Sequence, residues 1–265
     1  MLTVLKRLRS DASGFTLIEL LVGTAMALIV CFGAYTILEF TTEDISRQTS
    51  RVHVAQDGRI ALERLMEHLH SACVAALVTP VLSQSSPTVL RFISEASEAA
   101  SVGQATLHKI TYTPASGSTE GTLVEKSWKS TEASQPPNYI FNEVETPNTT
   151  ILLKGISQAE TSKEGKGELI PIFRYYRYYR EGDANAVFGE LNPNPIVGEL
   201  NEAEARQVAR VSVSFTLSPE AGDGAGISGQ MAKDRAITFE DSAILRVAPS
   251  SSSASVSNLP CENQV

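Results

Sequence analysis

The chain has 265 residues, 42% of them hydrophobic and 20% charged, with a formal net charge of −8. These proportions exclude a chain that is disordered throughout, and the acidic balance argues against nonspecific nucleic-acid binding, which draws on a net basic surface. The length allows one sizeable core or two small ones beyond any N-terminal segment.

Residues 1–14 read as a short basic leader containing Lys6, Arg7 and Arg9. Residues 15–40, FTLIELLVGTAMALIVCFGAYTILEF, form an apolar run whose charges are Glu19 and Glu39. About 20 apolar residues suffice for a bilayer-crossing helix, and basic residues ahead of it hold that end in the cytoplasm. The expected arrangement is therefore a single pass through the cytoplasmic (inner) membrane, with the remaining chain outside. Glu39 falls at the far interface. Glu19 lies within the run, where a carboxylate costs roughly 2.5–3.5 kcal/mol on insertion scales and marks a functional position. A cleavable secretory signal fits less well, since the apolar core is too long and no A-x-A triplet follows it. A lipoprotein signal would place a small residue before Cys31, and Val30 stands there. Cys31 is expected to be one more apolar side chain of the span.

The six residues Gly14-Phe15-Thr16-Leu17-Ile18-Glu19 follow the basic leader and open the apolar run. In that setting they resemble the processing motif of type IV prepilins and type II secretion pseudopilins. The resemblance implies cleavage between Gly14 and Phe15 by a prepilin peptidase and N-methylation of the new terminus at Phe15. It also implies an assembly role for Glu19, whose carboxylate would pair with the methylated amine of Phe15 on the same or a neighbouring chain. Such pairing offsets much of both desolvation costs. The alternative readings are a plain signal-anchor and a Glu19 that reaches back to the cytoplasmic headgroups.

Residues 41–79 are expected to continue the helix as an amphipathic half, because the first proline after Phe15 is Pro80. Leu62, Leu65, Met66, Leu69, Cys73 and Ala76 recur at three- and four-residue steps and define one apolar face. Arg59, Glu63, Arg64, Glu67 and His68 occupy the other side. Gly58 and the polar stretch Thr41–Thr49 are the expected weak points. The segment Gln56–Cys73 resembles the same stretch of the larger minor pilins, the J-type pseudopilins and W-type minor pilins.

Residues 80–249 read as a β-rich ectodomain. The predicted strands are Val89–Ile93, Leu107–Thr113, Leu123–Trp128, Ile151–Ile156, Ile170–Tyr179, Val208–Leu217 and Ala243–Val247, set between Gly/Pro/Ser/Asn-rich turns. Alternation places Val211, Val213, Phe215 and Leu217 on one buried face. Phe173, Tyr175, Arg177 and Tyr179 would face one way, with Arg174, Tyr176 and Tyr178 opposite. The expected fold class is α+β: a long N-terminal helix packed on an antiparallel sheet, pilin-like by the resemblance. Residues 131–148, 181–207 and 218–235 are predicted long loops, and 250–265 a Ser-rich tail.

No H-E-x-x-H, P-loop, dinucleotide-binding or G-x-S-x-G pattern occurs, so no enzyme and no cofactor is expected. Glu67 and His70 have the E-x-x-H spacing of di-metal helical bundles, but such sites draw further ligands from other helices. His70 is therefore read as a helix-flank residue and His53 and His108 as isolated, with no metal expected. Cys73 and Cys261 fall on the oxidising side and admit a disulfide or two unpaired thiols, Cys73 then filling the apolar stripe. The run FRYYRYYR (173–180) resembles a single-strand nucleic-acid surface. The ordinary reading, a half-buried strand whose arginines are capped by carboxylates, is preferred, and nucleic acid is disfavoured as a partner.

The resemblance implies a minor pilin or pseudopilin that primes or tips a type IV pilus or a type II secretion pseudopilus. Its partners would be other minor and major pilins, prepilin peptidase, the membrane and the inner-membrane assembly platform, and after assembly it would reside in the filament. The competing reading is a pilus-tip binding module, an adhesin or DNA-uptake receptor, whose long loops meet an external ligand.

Overall fold

The computed structural model describes residues 15–72, 79–95, 105–115, 120–131, 139–161, 167–180, 189–218 and 236–245. Gly14, Cys73 and Cys261 lie outside them. The contacts divide the chain between Val52 and His53. Helix α1, Leu17–His70, is 54 residues long and contributes to both units.

In the first unit every described side chain from Phe15 to Phe40 is exposed. The polar stretch after it is helical too, and its threonine hydroxyls bond back to the helix backbone. Thr41 Oγ1–H donates to the Ile37 carbonyl at 2.8 Å, Thr42 to Glu39 at 2.8 Å and Thr49 to Ile45 at 2.9 Å. Such bonds satisfy the hydroxyls without breaking the ladder. The expected weak point at residues 41–49 is thus regular helix.

In the second unit α1 lays Ala61, Leu65, Met66 and Leu69 on the sheet, all buried, with Leu62 partly so. The helix ends at His70, short of the predicted continuation to 79. There the Ser71 hydroxyl donates to His68 O, the Ala72 N–H turns back to Leu69 O, and Ala72 bridges to Ser94.

The sheet contains β1 (Val89–Glu95), β2 (Ala105–Pro114), β3 (Gly121–Lys129), β4 (Asn148–Ser157), β7 (Phe173–Arg177), β8 (Val208–Leu217) and β9 (Ile237–Ile244). Its order is β1-β2-β3-β4-β8-β7, with β9 also paired to β8, and every pairing is antiparallel. β5 (Glu160–Thr161) and β6 (Glu168–Leu169) make a separate two-stranded pair, and α2 (Glu202–Ala205) is one turn. The α+β arrangement of a long helix and an antiparallel sheet therefore stands. Each of the seven predicted strands overlaps an observed one. The last begins earlier than predicted, at Ile237, because Glu240, Asp241 and Ser242 hide its alternation while pairing with β8 holds them in register.

Val211, Val213, Phe215 and Leu217 are buried as the alternation requires, facing the α1 stripe with Phe92, Ile110, Leu123 and Tyr175. The opposite face carries a second cluster, Ile93, Leu107 and Trp128, covered by Leu82, Tyr139 and Phe141. These three are direct cross-strand neighbours. The Trp128 indole N–H donates to Glu145 O at 3.1 Å, which anchors the covering loop.

Gly58, read from sequence as a flexing point, is instead a point of contact. A Cβ there would sit 2.5 Å from Phe239 Cζ and 2.9 Å from Leu217 Cδ1. Two effects oppose each other in Gly58→Ala. Helix propensity favours alanine by about 1 kcal/mol, whereas overpacking costs about 1–3 kcal/mol. The collision with a ring held between two elements should win, so Gly58→Ala is expected to lower the urea midpoint. In a Phe239→Leu background the same substitution should cost less or stabilise. A stabilising Gly58→Ala in the native background would contradict the close packing.

Candidate functional site

Two places carry the chemistry. The first is the start of α1. Phe15 is 80% exposed and precedes Thr16, whose Oγ1 and carbonyl accept from the Glu19 N–H at 3.4 and 3.1 Å; the same carbonyl accepts from Leu20 N–H at 3.2 Å. Thr16-Leu17-Ile18-Glu19 is thus the T-x-x-E order of a capping box, with Thr16 at the cap and Glu19 in the first turn. A carboxylate there also meets the partial positive charge of the helix N-terminus. From sequence Glu19 stands as a charge in lipid and, by the resemblance, as an assembly residue; its capping spacing to Thr16 is the signal not used there. Cys31 is exposed farther along. Near the N-terminus the helix has a stretch long and apolar enough to cross a membrane.

The second place is a buried polar cluster between α1 and the sheet, which the sequence reading did not find. Strand pairing sets Phe92 opposite His108 and Ile110 opposite Glu125. Ser94, His108 and Glu125 therefore lie on a diagonal across β1, β2 and β3, within reach of long side chains. Ser94 Oγ is 2.8 Å from His108 Nε2, and His108 Nδ1 is 2.7 Å from Glu125 Oε1. A carboxylate only accepts, so Nδ1 carries the proton and donates to Glu125; in the neutral ring Nε2 accepts from the Ser94 hydroxyl. Helix α1 closes the cluster. Arg64 Nη2 stands 3.6 Å from Glu125 Oε2, and the His68 ring lies 4.9 Å from that of His108, which stacks on Phe92 at 5.0 Å. Arg64 and His68, assigned from the helical pattern to the polar side, thus border the apolar stripe, His68 partly buried and Arg64 still about half exposed. His108, read as isolated, is the centre of the group.

Burial by itself would raise the Glu125 carboxyl. The hydrogen bond from His108 and the charges of His108, His68 and Arg64 outweigh it and hold the pKa below its ordinary value. Loss of water is the main influence on His68 and lowers its pKa; Glu125 and Glu67 pull it up, while His108 and Arg64 push it down.

A serine, a histidine and a carboxylate in this order are the parts of a nucleophilic relay. Here Ser94 is only 3% exposed and its backbone pairs with Ala72 at the end of α1. His108 is held between Phe92 and His68. In this arrangement the cluster fastens helix to sheet, and no substrate atom reaches Ser94 Oγ.

The remaining candidates are placed as follows. His53 and His70 are exposed, as is Glu67, and among the described residues no group of three or more His, Cys, Asp or Glu side chains gathers as for a metal. In the aromatic-basic run, Tyr175 is buried with its hydroxyl donating to Val89 O at 2.8 Å. Arg174 pairs with Glu240, and Arg210 lies 4.1 Å above the Tyr176 ring. Phe173–Tyr176 keep regular register, with a bulge only after Tyr176, so Tyr175 and Tyr176 lie on opposite faces of the strand, and both are buried. A groove of about 600 Å³ also opens between α1 and β4, with Ile60, Arg64, Ile151 and Lys154 in its walls. Comparison with protein-family models, curated proteins and solved structures finds no match to this chain.

Removing the acceptor leaves the buried Nδ1–H of His108 without a partner, which costs about 1–3 kcal/mol. Glu125→Ala is expected to lose that much stability in urea unfolding at pH 7, and Glu125→Gln less, since the amide oxygen still accepts from His108. The folded-state pKa of Glu125 is depressed, so its contribution is complete above the ordinary value of 4.5 and lost as pH falls through the folded value. The gap between wild type and Glu125→Gln should therefore close in acid. A gap independent of pH would mean that charge at Glu125 is immaterial.

Proposed function

We propose that the chain is a membrane-anchored minor pilin or pseudopilin that acts in priming or tip assembly of a type IV pilus or a type II secretion pseudopilus. One observation carries this reading: the Gly14–Glu19 motif opens directly onto an apolar helix whose side chains, from Phe15 to Phe40, are all exposed. A surface of that kind calls for lipid or for apolar helices of neighbouring subunits. The way α1 continues beyond its apolar part to become a layer of the ectodomain core supports the same reading.

Cleavage after Gly14 would leave the amine of Phe15 immediately before the capping Thr16 and within one turn of Glu19. A protonated amine at a helix N-terminus opposes the helix dipole, and a first-turn carboxylate favours it. In hydrocarbon each charge alone is costly, so Glu19 of one subunit and the amine of its own or a neighbouring chain stabilise each other. Apolar helix faces gain little from each other on leaving lipid, which is equally apolar. Charge pairing, together with close approach at small residues such as Gly23 and Gly33, where a Cβ would meet nothing within the chain, then drives association in the membrane. Ectodomain contacts select the partner.

Mass spectrometry of the mature protein tests the reading. The expected chain begins at Phe15 and carries one added methyl group; a retained leader or another cleavage site would refute it. Glu19→Ala should be processed normally yet fail to enter filaments. Normal incorporation would remove the assembly role from Glu19.

A further inference from the structure

The buried cluster joins the last turns of α1 to three strands through one carboxylate and several basic groups, and that imbalance has a consequence. Glu125 takes the Nδ1–H of His108 on one oxygen. Its other oxygen has no hydrogen bond and faces Arg64 at 3.6 Å. His68 stacks against the same His108 ring at 4.9 Å. The titratable and charged groups facing His68 are Arg64 and Glu67 from its own helix, His108 from β2 and Glu125 from β3; β1 contributes the hydroxyl of Ser94. Glu67 is exposed and its charge is screened by water. Among the described residues Glu125 is the buried carboxylate of this interface; His108 holds one of its oxygens, and Arg64, itself about half exposed, faces the other.

We propose that Arg64, His68, His108 and Glu125 form an acid-sensitive latch between the end of α1 and strands β1–β3, closed while His68 is neutral and opened when it takes a proton. The proton comes from solvent and adds to a free ring nitrogen of His68. The resulting cation gives up water at the interface and stands against the His108 ring and beside Arg64; the attraction of Glu125, which also serves His108 and Arg64, does not offset this. The region that gives way is the last turns of α1 and the single Ala72–Ser94 bridge. The Leu65/Leu69 stripe and the β7–β8–β9 ladder hold the rest of the ectodomain together. Local openings of this kind, below the free energy of global unfolding, are a general property of folded chains. The latch stands on the cluster geometry and is independent of the pilin reading.

The sign follows from linkage. The folded-state pKa of His68 is depressed, so its neutral packing contributes fully above the ordinary histidine value and is lost as pH falls from there toward the folded value. That window lies below about pH 6.5, above the one in which Glu125 titrates.

Amide hydrogen exchange of the full chain in lipid nanodiscs, read between pH 8 and 5 as protection corrected for intrinsic exchange, tests this. Protection of residues 64–72 should fall by up to about tenfold per pH unit below 6.5, one proton being taken up on opening. Amides of β8 should keep theirs. His68→Phe, which retains a ring against His108 and cannot titrate, should match wild type at pH 8 and hold its protection at pH 5. Parallel loss in both proteins, or no loss in either, would overturn the latch. If His68→Phe does not fold, the NMR titration of the His68 ring in the native chain decides: a midpoint below the ordinary histidine value supports the latch, and one at or above it overturns it.

Discussion

The contact between the second half of α1 and the inner face of the sheet is the constraint from which the rest of the β-rich unit follows. A lone antiparallel sheet leaves one face bare, and a lone amphipathic helix is marginal in water. Leu65 and Leu69, both almost fully buried, are where each element supplies what the other lacks. At Gly58 the absence of a side chain lets the helix approach Phe239 and Leu217. One end of the contact is fixed by backbone, through Ala72 and Ser94. Beside it lies the polar cluster around His108, which the helix meets through Arg64 and the His68 ring.

Apolar burial and polar fastening differ in what they contribute. Two buried leucines are each worth about 1.5–3 kcal/mol with little demand on direction. The hydrogen bonds from Ser94 to His108 to Glu125 add less in net terms, yet they are satisfied in only one register of three strands. The price of that specificity is sensitivity to protons. An interface fastened by leucines alone would be indifferent to pH; one fastened through an imidazole pair and a single carboxylate is not.

Much of this was legible in the sequence, and the reasons for the rest are physical. The apolar run from Phe15 to Phe40 and the α1 stripe from Leu62 to Leu69 are one-dimensional patterns of composition and period that the helix shows; Cys73 and Ala76, read as its continuation, lie beyond the helix end and outside the described residues. Strands such as Val208–Leu217 announced themselves by strict alternation. The last strand was placed late because Glu240, Asp241 and Ser242 are held by pairing to β8 rather than by their own propensity. Gly58 was misread because a glycine's weak helix propensity is visible in sequence, whereas the ring packed against it is not. The capped arginine in FRYYRYYR was foreseen in kind, but Glu240 as the partner of Arg174 depends on register. The polar cluster had one available clue, that His108 shares the parity of Ile110 and Tyr112 on a predicted strand. Its partners come from two other strands and a helix, which no local pattern joins.

The second half of α1 is an integral layer of the core that it shares with the sheet. The chain has a single tryptophan, Trp128, on β3 and packed on the sheet face away from the helix. Its fluorescence therefore reports the sheet, while far-ultraviolet circular dichroism is dominated by α1. Urea unfolding of wild type and Leu65→Ala, followed by both signals, is the most direct test. Leu65→Ala is expected to lower the stability read by Trp128 by about 2–5 kcal/mol, although the two residues lie on opposite sides of the sheet. A Trp128 transition left unmoved by Leu65→Ala would mean that the sheet stands without the helix, and would contradict the account.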